Sequence, residues 1–452
     1  MIKQLKTIAG IIAAVFIPLM SFAIENRPNI VLIISDDQGY ADVSYNPEHQ
    51  SYVNTPHTDA LAQSGMIFNN GYTSGSVCSP TRSGVMTGFY QQRYGIYTAG
   101  EGGNGTDLSE KFIPNYLKDA GYTSMAFGKW HLGHEMDYHP LYRGFDDFYG
   151  FMGRGAHDFF KLGIDEGKEF KAGPMFRGLE PVDDKGYLTT RITEEVVDII
   201  ERSKDQPFFA YVAYNAVHAP AQAPAEDIKP VSGDETRDIL MGMLKHLDLG
   251  VGTIVDTLKK HGIYENTIII YLSDNGGASA MNADNTPLRG MKSENYEGGI
   301  RVPFLMSWPA KIKAGQQTAT PVMSFDILPT LLDAAGIQTD RNFDGKSMLP
   351  IVIDGADKSH DYLCWNSGDG ETAIQADGWK LISVRGKTEL FKISEDIGES
   401  KDLFASHPEK VGHLQKLYDS WLAQMAEPMS KNTIQRWDPS IAGKKNKKKK
   451  KK

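Results

Sequence analysis

The stretch Asn29-Ile-Val-Leu-Ile-Ile-Ser35-Asp36-Asp37 decides the fold, because an unbroken apolar run leads directly into two acids. A run of this kind is typical of a parallel strand that is buried on both faces of a sheet. Four further runs have the same character: Thr123–Gly128, Phe208–Tyr214, Thr267–Ser273 and Val302–Ser307. Amphipathic stretches separate these runs. The sequence therefore predicts an α/β fold in which helices cover both faces of a large, mixed but mostly parallel sheet.

Five amphipathic stretches are predicted to be helices, and a glycine follows three of them. These helices are Thr58–Ser64, Phe112–Ala120, Thr189–Arg202, Glu235–Lys260 and Phe325–Ala335. Gly121, Gly262 and Gly336 lie just beyond three of the helices, where glycine commonly forms the C-cap.

The pattern changes after about residue 353, where short strands separated by turns replace the long apolar runs. The segments Thr372–Ala376, Trp379–Ser383 and Thr388–Lys392, followed by the helix Glu409–Met425, predict a smaller C-terminal antiparallel sheet with one helix. We expect a leader over residues 1–23, a main domain over 24–353, a C-terminal subdomain over 354–438 and a disordered lysine-rich tail over 439–452.

The N-terminus has the layout of a secretory signal peptide. Lys3 and Lys6 precede the uncharged run Ile8–Met20, and Ser21-Phe22-Ala23 provides small residues for cleavage after Ala23. A single membrane anchor is the other interpretation, but the run is shorter than the roughly 20 apolar residues of a spanning helix. The sequence therefore predicts a periplasmic or secreted protein without a membrane span in the mature chain.

Composition excludes several classes of protein. The 452 residues are 40% hydrophobic and 23% charged, which excludes a disordered or fibrous chain. Two cysteines exclude a disulfide-dense scaffold, and no Cys/His cluster has the spacing of a zinc site. The net charge is -9 even though Lys444–Lys452 contains eight lysines, so the body is more acidic still and is a poor nucleic-acid binder.

Polar side chains follow four of the predicted strands, at the edge where ligands bind in open α/β sheets. The oxygen-bearing residues among them are Asp36, Asp37, Asp274 and Asn275. Carboxylate and amide oxygens suit a hard divalent cation such as Ca²⁺ or Mg²⁺, and the absence of histidine from this set makes zinc a poor fit. The sequence therefore predicts a metal site at this edge.

A second set at the same edge carries positive charge and proton donors. It contains Lys129, His131, His218 and, later in the chain, Lys292. A cation ringed by further positive groups predicts a site for an anionic substrate, with charge stabilised in the transition state.

The segment Cys78-Ser-Pro80-Thr-Arg82-Ser-Gly84 follows a loop rich in glycine and serine. Pro80 is placed where a helix begins, so Cys78 is expected at a helix N-terminus, where anionic groups are favoured. Two other interpretations are a buried cysteine beside a helix-starting proline and the nucleophile of a cysteine-thiolate hydrolase.

This segment resembles the signature of the formylglycine-dependent (type I) sulfatases, arylsulfatase-like members of the alkaline phosphatase superfamily. Further blocks, in family order from about residue 28 to 352, are similar to that family: Pro28–Asp37, Gly128–Gly133, His218–Pro220, Ser273–Gly277 and Arg289–Pro303. The main domain would then be catalytic, and the chain would be a sulfuric ester hydrolase.

The resemblance implies that a formylglycine-generating maturation enzyme converts Cys78 to an aldehyde that is present as its hydrate. One hydroxyl would attack sulfur, and the second would later expel sulfate. The residues implied to bind one Ca²⁺ are Asp36, Asp37, Cys78, Asp274 and Asn275.

The remaining family roles fall on side chains of the cationic set. Arg82 and Lys129 would hold the hydrate, and His131 would assist elimination of the sulfate ester. His218, with Lys292, would protonate the leaving sugar oxygen.

Two other classes stay open. Some phosphatases and phosphodiesterases of the same superfamily use two metals, often with histidine after the late aspartate, where this chain has Asn275. One metal with lysines suits a monoanionic sulfate ester better than a phosphate dianion. A formylglycine phosphonate or phosphodiester hydrolase and a non-catalytic binder of sulfated glycans are the alternatives.

The expected substrate is a sulfated oligosaccharide or polysaccharide from algal cell walls, such as ulvan or carrageenan. Glycosaminoglycan sulfates rank second and aryl sulfates third. Candidate sugar-binding residues in the loops after Gly133 and Gly153 are His139, Arg143, Arg154, His157 and Asp158. An arginine there would pair with a uronic-acid carboxylate.

Overall fold

In the computed structural model, which describes residues 27–153, 155–164, 173–368 and 370–429, most strands belong to one large sheet. The described strands are β1 Asn29–Ser35, β2 Met66–Phe68, β3 Gly71–Tyr72, β4 Thr123–Lys129, β5 Asp147–Phe151, β6 Met175–Arg177, β7 Glu180–Val182, β8 Phe208–Ala213, β9 Thr267–Ser273, β10 Phe304–Ser307, β11 Gln316–Thr318, β12 Val322–Met323, β13 Leu363–Asn366, β14 Thr372–Ala376, β15 Trp379–Val384 and β16 Lys387–Phe391.

The large sheet has the order β11-β2-β10-β9-β1-β8-β4-β5-β6-β7, and its central strands β9, β1, β8, β4 and β5 are parallel. In the middle of the sheet, Ile30 pairs with Phe209 on one side and with Ile268 on the other. Every residue of β1 is buried, as its unbroken apolar run predicts.

One predicted strand differs in direction. The run Val302–Ser307 contributes β10, which pairs antiparallel with β9 rather than extending the parallel set. An apolar run reports burial on both faces but not direction, because either pairing buries the same side chains. The predicted fold class, a mixed and mostly parallel sheet, is confirmed.

The helices cover both faces of the sheet. They are α1 Pro56–Gln63, α2 Cys78–Thr87, α3 Ala99–Gly102, α4 Ile113–Lys118, α5 Leu188–Ser203, α6 Glu235–Lys260, α7 Glu297–Ile300, α8 Ile327–Ala334, α9 Leu349–Asp354 and α10 Pro408–Leu422. The five predicted helices of the main domain are all present, with bounds that differ by at most two residues. Gly121, Gly262 and Gly336 have φ of +81°, +69° and +69°, the left-handed backbone expected of C-caps.

The alternation of side chains along β1 divides the interior into two cores. Ile30, Leu32 and Ile34 belong to the core under α4 and α8, whereas Val31 and Ile33 belong to the core under α5 and α6. The sheet is thus held from both sides, and its strand ends provide a rigid edge for polar side chains.

The C-terminal part forms an antiparallel sheet in the order β13-β14-β15-β16 with α10 packed against it. β13, which the sequence did not predict, carries Trp365, whose ring contacts Tyr72 of the main sheet region with centroids 5.4 Å apart. Tyr90 contacts Trp421 of α10 in the same way, at 5.1 Å. A shared aromatic core therefore fixes the smaller sheet to the larger part of the molecule.

Some predictions concern parts of the chain outside the described residues. These are the leader over residues 1–23, the tail over 439–452 and Arg154. Within the described ranges, no helix combines the length and apolar character that crossing a membrane requires.

Candidate active site

Side chains at the ends of four adjacent parallel strands, β9, β1, β8 and β4, and at the start of α2 meet at the carboxyl edge of the large sheet. Asp36 and Asp37 follow β1, and Asp274 follows β9, whose Ser273 is in register with Ser35. The Asp37 N–H donates to Asp274 Oδ1 at 3.3 Å. Parallel strands in register end at the same edge of the sheet. The structure therefore brings these acids together, as predicted.

Cys78 is the first residue of α2, and the preceding Val77 has an extended backbone at the N-cap position. The thiol is buried, with Sγ 3.5 Å from Asp36 Oδ1 and 3.5 Å from Lys292 Nζ. Burial, together with the charge of Asp274, raises the pKa of the Cys78 thiol to about 12. An unmodified Cys78 in these surroundings is a thiol rather than the thiolate that a cysteine hydrolase requires.

Arg82 lies one helical turn after Cys78 and ties α2 to two strand ends. Its guanidinium donates from Nε to Asp274 Oδ2 at 2.9 Å and from Nη1 to the Lys129 carbonyl at 3.0 Å, and Nη2 forms an ion pair with Asp274 Oδ2 at 2.8 Å. Nη1 also donates to the Tyr211 hydroxyl at 3.3 Å, a contact that the sequence did not indicate. Burial opposes the charge of Arg82, but Asp274 raises the pKa of the guanidinium above its ordinary value.

Lys129, at the end of β4, is fully buried and donates to Asp36 Oδ2 at 2.5 Å. Burial alone would raise the pKa of Asp36, but the charge of Lys129 and those of nearby basic groups lower that pKa below its ordinary value. Asp36 is therefore ionised and provides carboxylate oxygens for an electrostatic site.

Lys292 and His218 both approach Asp37. Lys292 Nζ lies 2.6 Å from Asp37 Oδ1, and His218 Nε2 lies 3.6 Å from Asp37 Oδ2. The other ring nitrogen of His218 is 2.6 Å from the Ala219 carbonyl, which places an N–H on Nδ1. His218 Nε2 is thus the nitrogen that faces the acidic cluster.

His131 follows β4 in a left-handed backbone conformation, with φ of 55°. Two glycines flank its ring: a Cβ on Gly103 would lie 3.6 Å from Nε2, and one on Gly155 would lie 3.1 Å from Cε1. Burial and the charge of Lys129 hold the pKa of His131 well below its ordinary value. Its imidazole is therefore neutral and able to accept a proton.

The donor atoms fit a hard divalent cation. Single ligand atoms of Asp36, Asp37, Cys78 and His218 all lie within 4.8 Å of one another. Asn275 Nδ2 donates to Asp37 Oδ1 at 2.8 Å, while Asn275 Oδ1 is buried without a hydrogen-bond partner among the described residues. A buried amide oxygen without a donor, on a side chain bonded to the Asp37 carboxylate, is expected of a ligand to a cation.

Gln38 fastens the loop that carries the two leading acids, and the sequence analysis did not single it out. It is fully buried, donates from Nε2 to the Asp42 carbonyl at 2.8 Å and accepts from the Ser35 hydroxyl at 2.8 Å. Its Oε1 also accepts from the Tyr271 hydroxyl. The only signal in the sequence was its position directly after Asp37.

Comparison with known proteins identifies the family to which this chain belongs. The profile of the sulfatase family matches residues 28–337, which is more than half of the chain. The chain belongs to the sulfatase family. A second profile, for the C-terminal part of N-sulphoglucosamine sulphohydrolase, matches residues 291–427 of this sulfatase.

Two curated relatives and one solved structure are similar over most of the sulfatase. It is 32% identical to the uncharacterized sulfatase YdeN of Escherichia coli K12, over 76% of this chain and 69% of that one. It is 34% identical to the N-acetylgalactosamine-6-sulfatase of Mus musculus, over 75% and 68%. The crystal structure of Ps i-CgsB in complex with k-i-k-neocarrahexaose superposes with a TM-score of 0.85 at 33% identity, covering 91% of this chain and 97% of that one.

These likenesses confirm the predicted family and reaction class. The sulfatase has the fold of the alkaline phosphatase superfamily and is a sulfuric ester hydrolase. The cluster at the carboxyl edge of the sheet is accordingly its candidate active site.

Two of the candidate sugar-binding residues of the sulfatase have partners away from this cluster. The buried His139 ring packs against Phe148 and Phe176, with centroids 5.1 and 5.7 Å away. The Arg143 guanidinium donates to the carbonyls of Leu108, Asp107 and Glu110. The structure does not bring these two side chains to the acidic cluster, because each is used to hold a loop in place.

His157 and Asp158 lie closer to the edge of the sheet but are also buried. The Asp158 carboxylate accepts from the Phe160 and Lys161 amides, both at 2.8 Å. The His157 carbonyl accepts from Asn215 Nδ2 at 3.1 Å, and Asn215 lies two residues after the end of β8. These contacts fix the loop beside the site, and contact of either side chain with a sugar stays a prediction.

Proposed function

We propose that this sulfatase is an exported enzyme that hydrolyses sulfate esters on a sulfated carbohydrate, with Cys78 converted to formylglycine and one Ca²⁺ bound. The observation that carries the proposal is the position of Cys78. It begins α2 with its Sγ 3.5 Å from both the Asp36 carboxylate and the Lys292 ammonium. A nucleophile formed there would lie between the metal ligands and a cation that attracts sulfate.

Formylglycine would supply one hydroxyl of an aldehyde hydrate for attack on sulfur and a second for release of sulfate. The residues around position 78 suit a group that gains negative charge. Lys129 is buried beside Asp36, and Arg82 anchors Asp274 and the Lys129 carbonyl. In this dry setting their charges oppose the build-up of negative charge more strongly than they would in water.

The residues that would hold Ca²⁺ are Asp36, Asp37, Asp274 and Asn275, with the modified side chain of residue 78. When bound, Ca²⁺ would polarise the sulfate oxygens and favour the ionised form of the attacking hydroxyl. Asn275 Oδ1, which has no partner among the described residues, supports this assignment, because the hydrogen bonds given for this side chain are donated by Nδ2 and leave the oxygen available.

Two histidines are placed for proton transfer. His218 keeps one proton on Nδ1 toward the Ala219 carbonyl, so the proton given to the leaving sugar oxygen would be a second one, carried on Nε2 of the imidazolium, with Lys292 beside it. The neutral His131 would accept the proton released as the sulfate ester is eliminated. A sugar alkoxide is a poor leaving group, so proton donation is needed for the first step.

Two relatives support the substrate class. One relative of known structure was crystallised with a neocarrahexaose, and a curated relative is an N-acetylgalactosamine-6-sulfatase. We therefore rank carrageenan oligosaccharides first, with ulvan, glycosaminoglycan and aryl sulfates as further substrates. The proposed organisation is a catalytic domain over residues 24–353, a C-terminal subdomain over 354–438 and a lysine-rich tail over 439–452.

The test is to produce the chain with a formylglycine-generating enzyme and to measure its intact mass, its Cys78 peptide and the sulfate it releases. We expect a mature chain that begins after Ala23, an aldehyde in place of the Cys78 thiol, and sulfate released from carrageenan oligosaccharides. Cys364→Ala, which alters the other free cysteine, is the matched control and should keep the activity.

Other outcomes would replace the proposal. An unmodified Cys78 with full sulfate release would exclude the formylglycine mechanism. Turnover of phosphonates or phosphodiesters in preference to sulfates would favour the hydrolase alternative, and tight binding of sulfated glycans without turnover would favour a binder.

A further inference from the structure

A cavity of about 240 Å³ opens beside Cys78, at the junction of the main part and the smaller sheet. Val77, directly before Cys78, and Ser293, directly after Lys292, line it. The described residues that line the cavity are Ser76, Val77, Tyr97, Thr98, Ala99, Ser293, Ser367, Gly368 and Glu371. We call this cavity the hinge pocket, because the turn that joins β13 to β14 forms one of its walls.

Hydrogen bonds across the junction fix the walls of the hinge pocket. The Ser76 and Ser367 hydroxyls are 3.0 Å apart, and the Ser367 hydroxyl donates to Asn295 Oδ1 at 3.0 Å. The Ser293 N–H donates to the Ser76 carbonyl at 2.8 Å. Hydrogen bonds therefore hold the walls of the pocket in place, and the pocket is not a packing defect between the two parts.

The lining has the chemistry of a sugar-binding surface. Four hydroxyl side chains line it, those of Ser76, Thr98, Ser293 and Ser367. The protons of Ser367 and Ser76 are used in the bonds to Asn295 and Ser367, so these two hydroxyls offer a ligand acceptor lone pairs. The Tyr97 hydroxyl donates to the Ala426 carbonyl at 2.8 Å, so Tyr97 offers the pocket mainly the carbon surface of its ring. Hydroxyls with an aromatic surface suit the polar rim and apolar faces of a sugar ring.

Charge is divided sharply between the hinge pocket and the catalytic cluster. Arg82, Lys129 and Lys292 form ion pairs with the buried acids of that cluster. None of the described residues that line the hinge pocket carries a positive charge, and Glu371 is an acid. An anionic group placed there would lose water without gaining a cation as a partner, which is costly.

We infer that the hinge pocket binds a neutral sugar ring adjoining the sulfated unit and selects against a ring that bears a carboxylate or a second sulfate. The inference rests on the proposed function, since it names the substrate class of the same site. It places sulfated galactans ahead of uronate-containing polymers such as ulvan and glycosaminoglycans. Specificity would then come from the absence of a cation as much as from the contacts that are present.

The test compares two sulfated disaccharides of equal size and sulfate number, one neutral apart from its sulfate and one carrying a uronate. We expect the mature enzyme to favour the neutral disaccharide by at least about tenfold in kcat/KM, as one missing charge partner predicts. Ala99→Arg adds a cation to the pocket without removing a hydrogen bond of the Ala99 side chain, and should reduce that preference at least about fivefold. Ala314→Arg, at an exposed alanine outside the pocket, is the matched control and should leave the preference unchanged.

A binding measurement separates failure of this inference from failure of the proposed function. Saturation-transfer NMR with unsulfated galactobiose should show binding to the wild type and a weaker signal for Ala99→Arg, even if no saccharide releases sulfate. Equal kcat/KM for the two disaccharides, or an equal effect of Ala99→Arg on both, would overturn the inference. Absence of galactobiose binding would overturn it as well.

Discussion

Two fully buried clusters of charge lie within this sulfatase, and they are built differently. The catalytic cluster at the edge of the large sheet contains Asp36, Asp37, Asp274, Arg82 and Lys129. The second cluster, which we call the junction cluster, contains Glu297 of α7, Lys380 of β15 and Glu399. Lys380 Nζ lies 2.9 Å from Glu297 Oε1 and 2.9 Å from Glu399 Oε1, and both Lys380 and Glu297 have no exposed side-chain surface.

The two clusters differ in how their buried polar atoms are partnered. Glu297 Oε2 accepts from the Tyr72 hydroxyl at 2.9 Å and faces Arg301, while the Glu297 N–H donates to Glu399 Oε2 at 2.7 Å. The catalytic cluster instead keeps Asn275 Oδ1 and His131 Nδ1 buried without partners among the described residues. Glu399 Oε1 of the junction cluster also lacks a hydrogen bond but lies 2.9 Å from the Lys380 ammonium. Among the described residues of the two clusters, the buried atoms with neither a hydrogen bond nor an ion pair therefore lie in the catalytic cluster.

The largest effect should follow removal of the nucleophile from the catalytic cluster. Cys78→Ala should lower sulfate release by roughly 10⁴-fold or more, since the covalent step is lost and only binding and electrostatics remain. Sulfate release is measured by ion chromatography, and Cys364→Ala serves as the control. Residual activity within about tenfold of wild type would show that the cluster works without residue 78.

The clusters should respond in opposite ways to loss of their lysines. Lys380→Met leaves Glu399 buried without a cation and Glu297 with Arg301 alone. It should lower the free energy of unfolding by about 3–5 kcal/mol while activity per folded molecule stays close to wild type. Lys129→Met should abolish most activity but cost less stability when Ca²⁺ is saturating, because a bound Ca²⁺ would also neutralise Asp36. Denaturant unfolding with and without Ca²⁺ measures both. Equal stability losses would remove the distinction between the clusters.

The junction cluster should also give the protein a measurable pH dependence of stability. Burial raises the pKa of Glu399 from 4.5 to about 7, whereas Lys380 lowers that of Glu297 despite its burial. The folded state therefore binds a proton at Glu399 more tightly than the unfolded state, and this stability is lost as pH rises from about 4.5 to about 7. The loss should approach about 3 kcal/mol.

Glu399→Gln isolates that contribution. The variant cannot titrate at this position, so the difference in unfolding free energy between wild type and variant should fall between pH 4.5 and 7 and then level off. A difference that is flat with pH, or that rises, would show that Glu399 is ionised throughout.

The smallest effect concerns the unpartnered amide of the catalytic cluster. Asn275→Ala should weaken Ca²⁺ binding about tenfold, equivalent to about 1.4 kcal/mol, because one of several oxygen ligands is lost. Calorimetric titration of chelator-treated protein measures the affinity, and thermal unfolding with and without Ca²⁺ gives a second readout. Asn70→Ala, at a half-buried amide bonded to the Ala319 carbonyl, should leave the affinity unchanged.

The sequence predicted the catalytic cluster more completely than the rest of the molecule. Asp36, Asp274 and Lys129 follow apolar runs that identify neighbouring strands, and strand ends meet wherever the strands are parallel. The apolar runs and the rule that parallel strands end at one edge were sufficient to predict that these three residues lie close together. The hydrogen bonds of Gln38 and Tyr211 could not be predicted in this way, because they depend on registers between distant segments.

The loop contacts and the junction cluster were harder to predict from the sequence, because they too depend on contacts between distant segments. Nothing in the sequence near His139 or Arg143 shows that they are buried against Phe148 or against loop carbonyls. The partners Glu297 and Lys380 are 83 residues apart in the sequence. Glu297 lies in α7, whereas Lys380 lies in β15 of the smaller sheet. The short strand β13 was missed because it has four residues and no clear alternation.

The burial of Cys78 has a consequence for the timing of events in the cell. The residue has 3% of its surface exposed, and the next residue, Ser79, donates to the carbonyl of Ala99, the first residue of α3. If Cys78 is converted as proposed, the modifying enzyme would have to reach this thiol before the chain folds around it. Protein that folded with an unmodified Cys78 would then be stable but inaccessible to an enzyme added later.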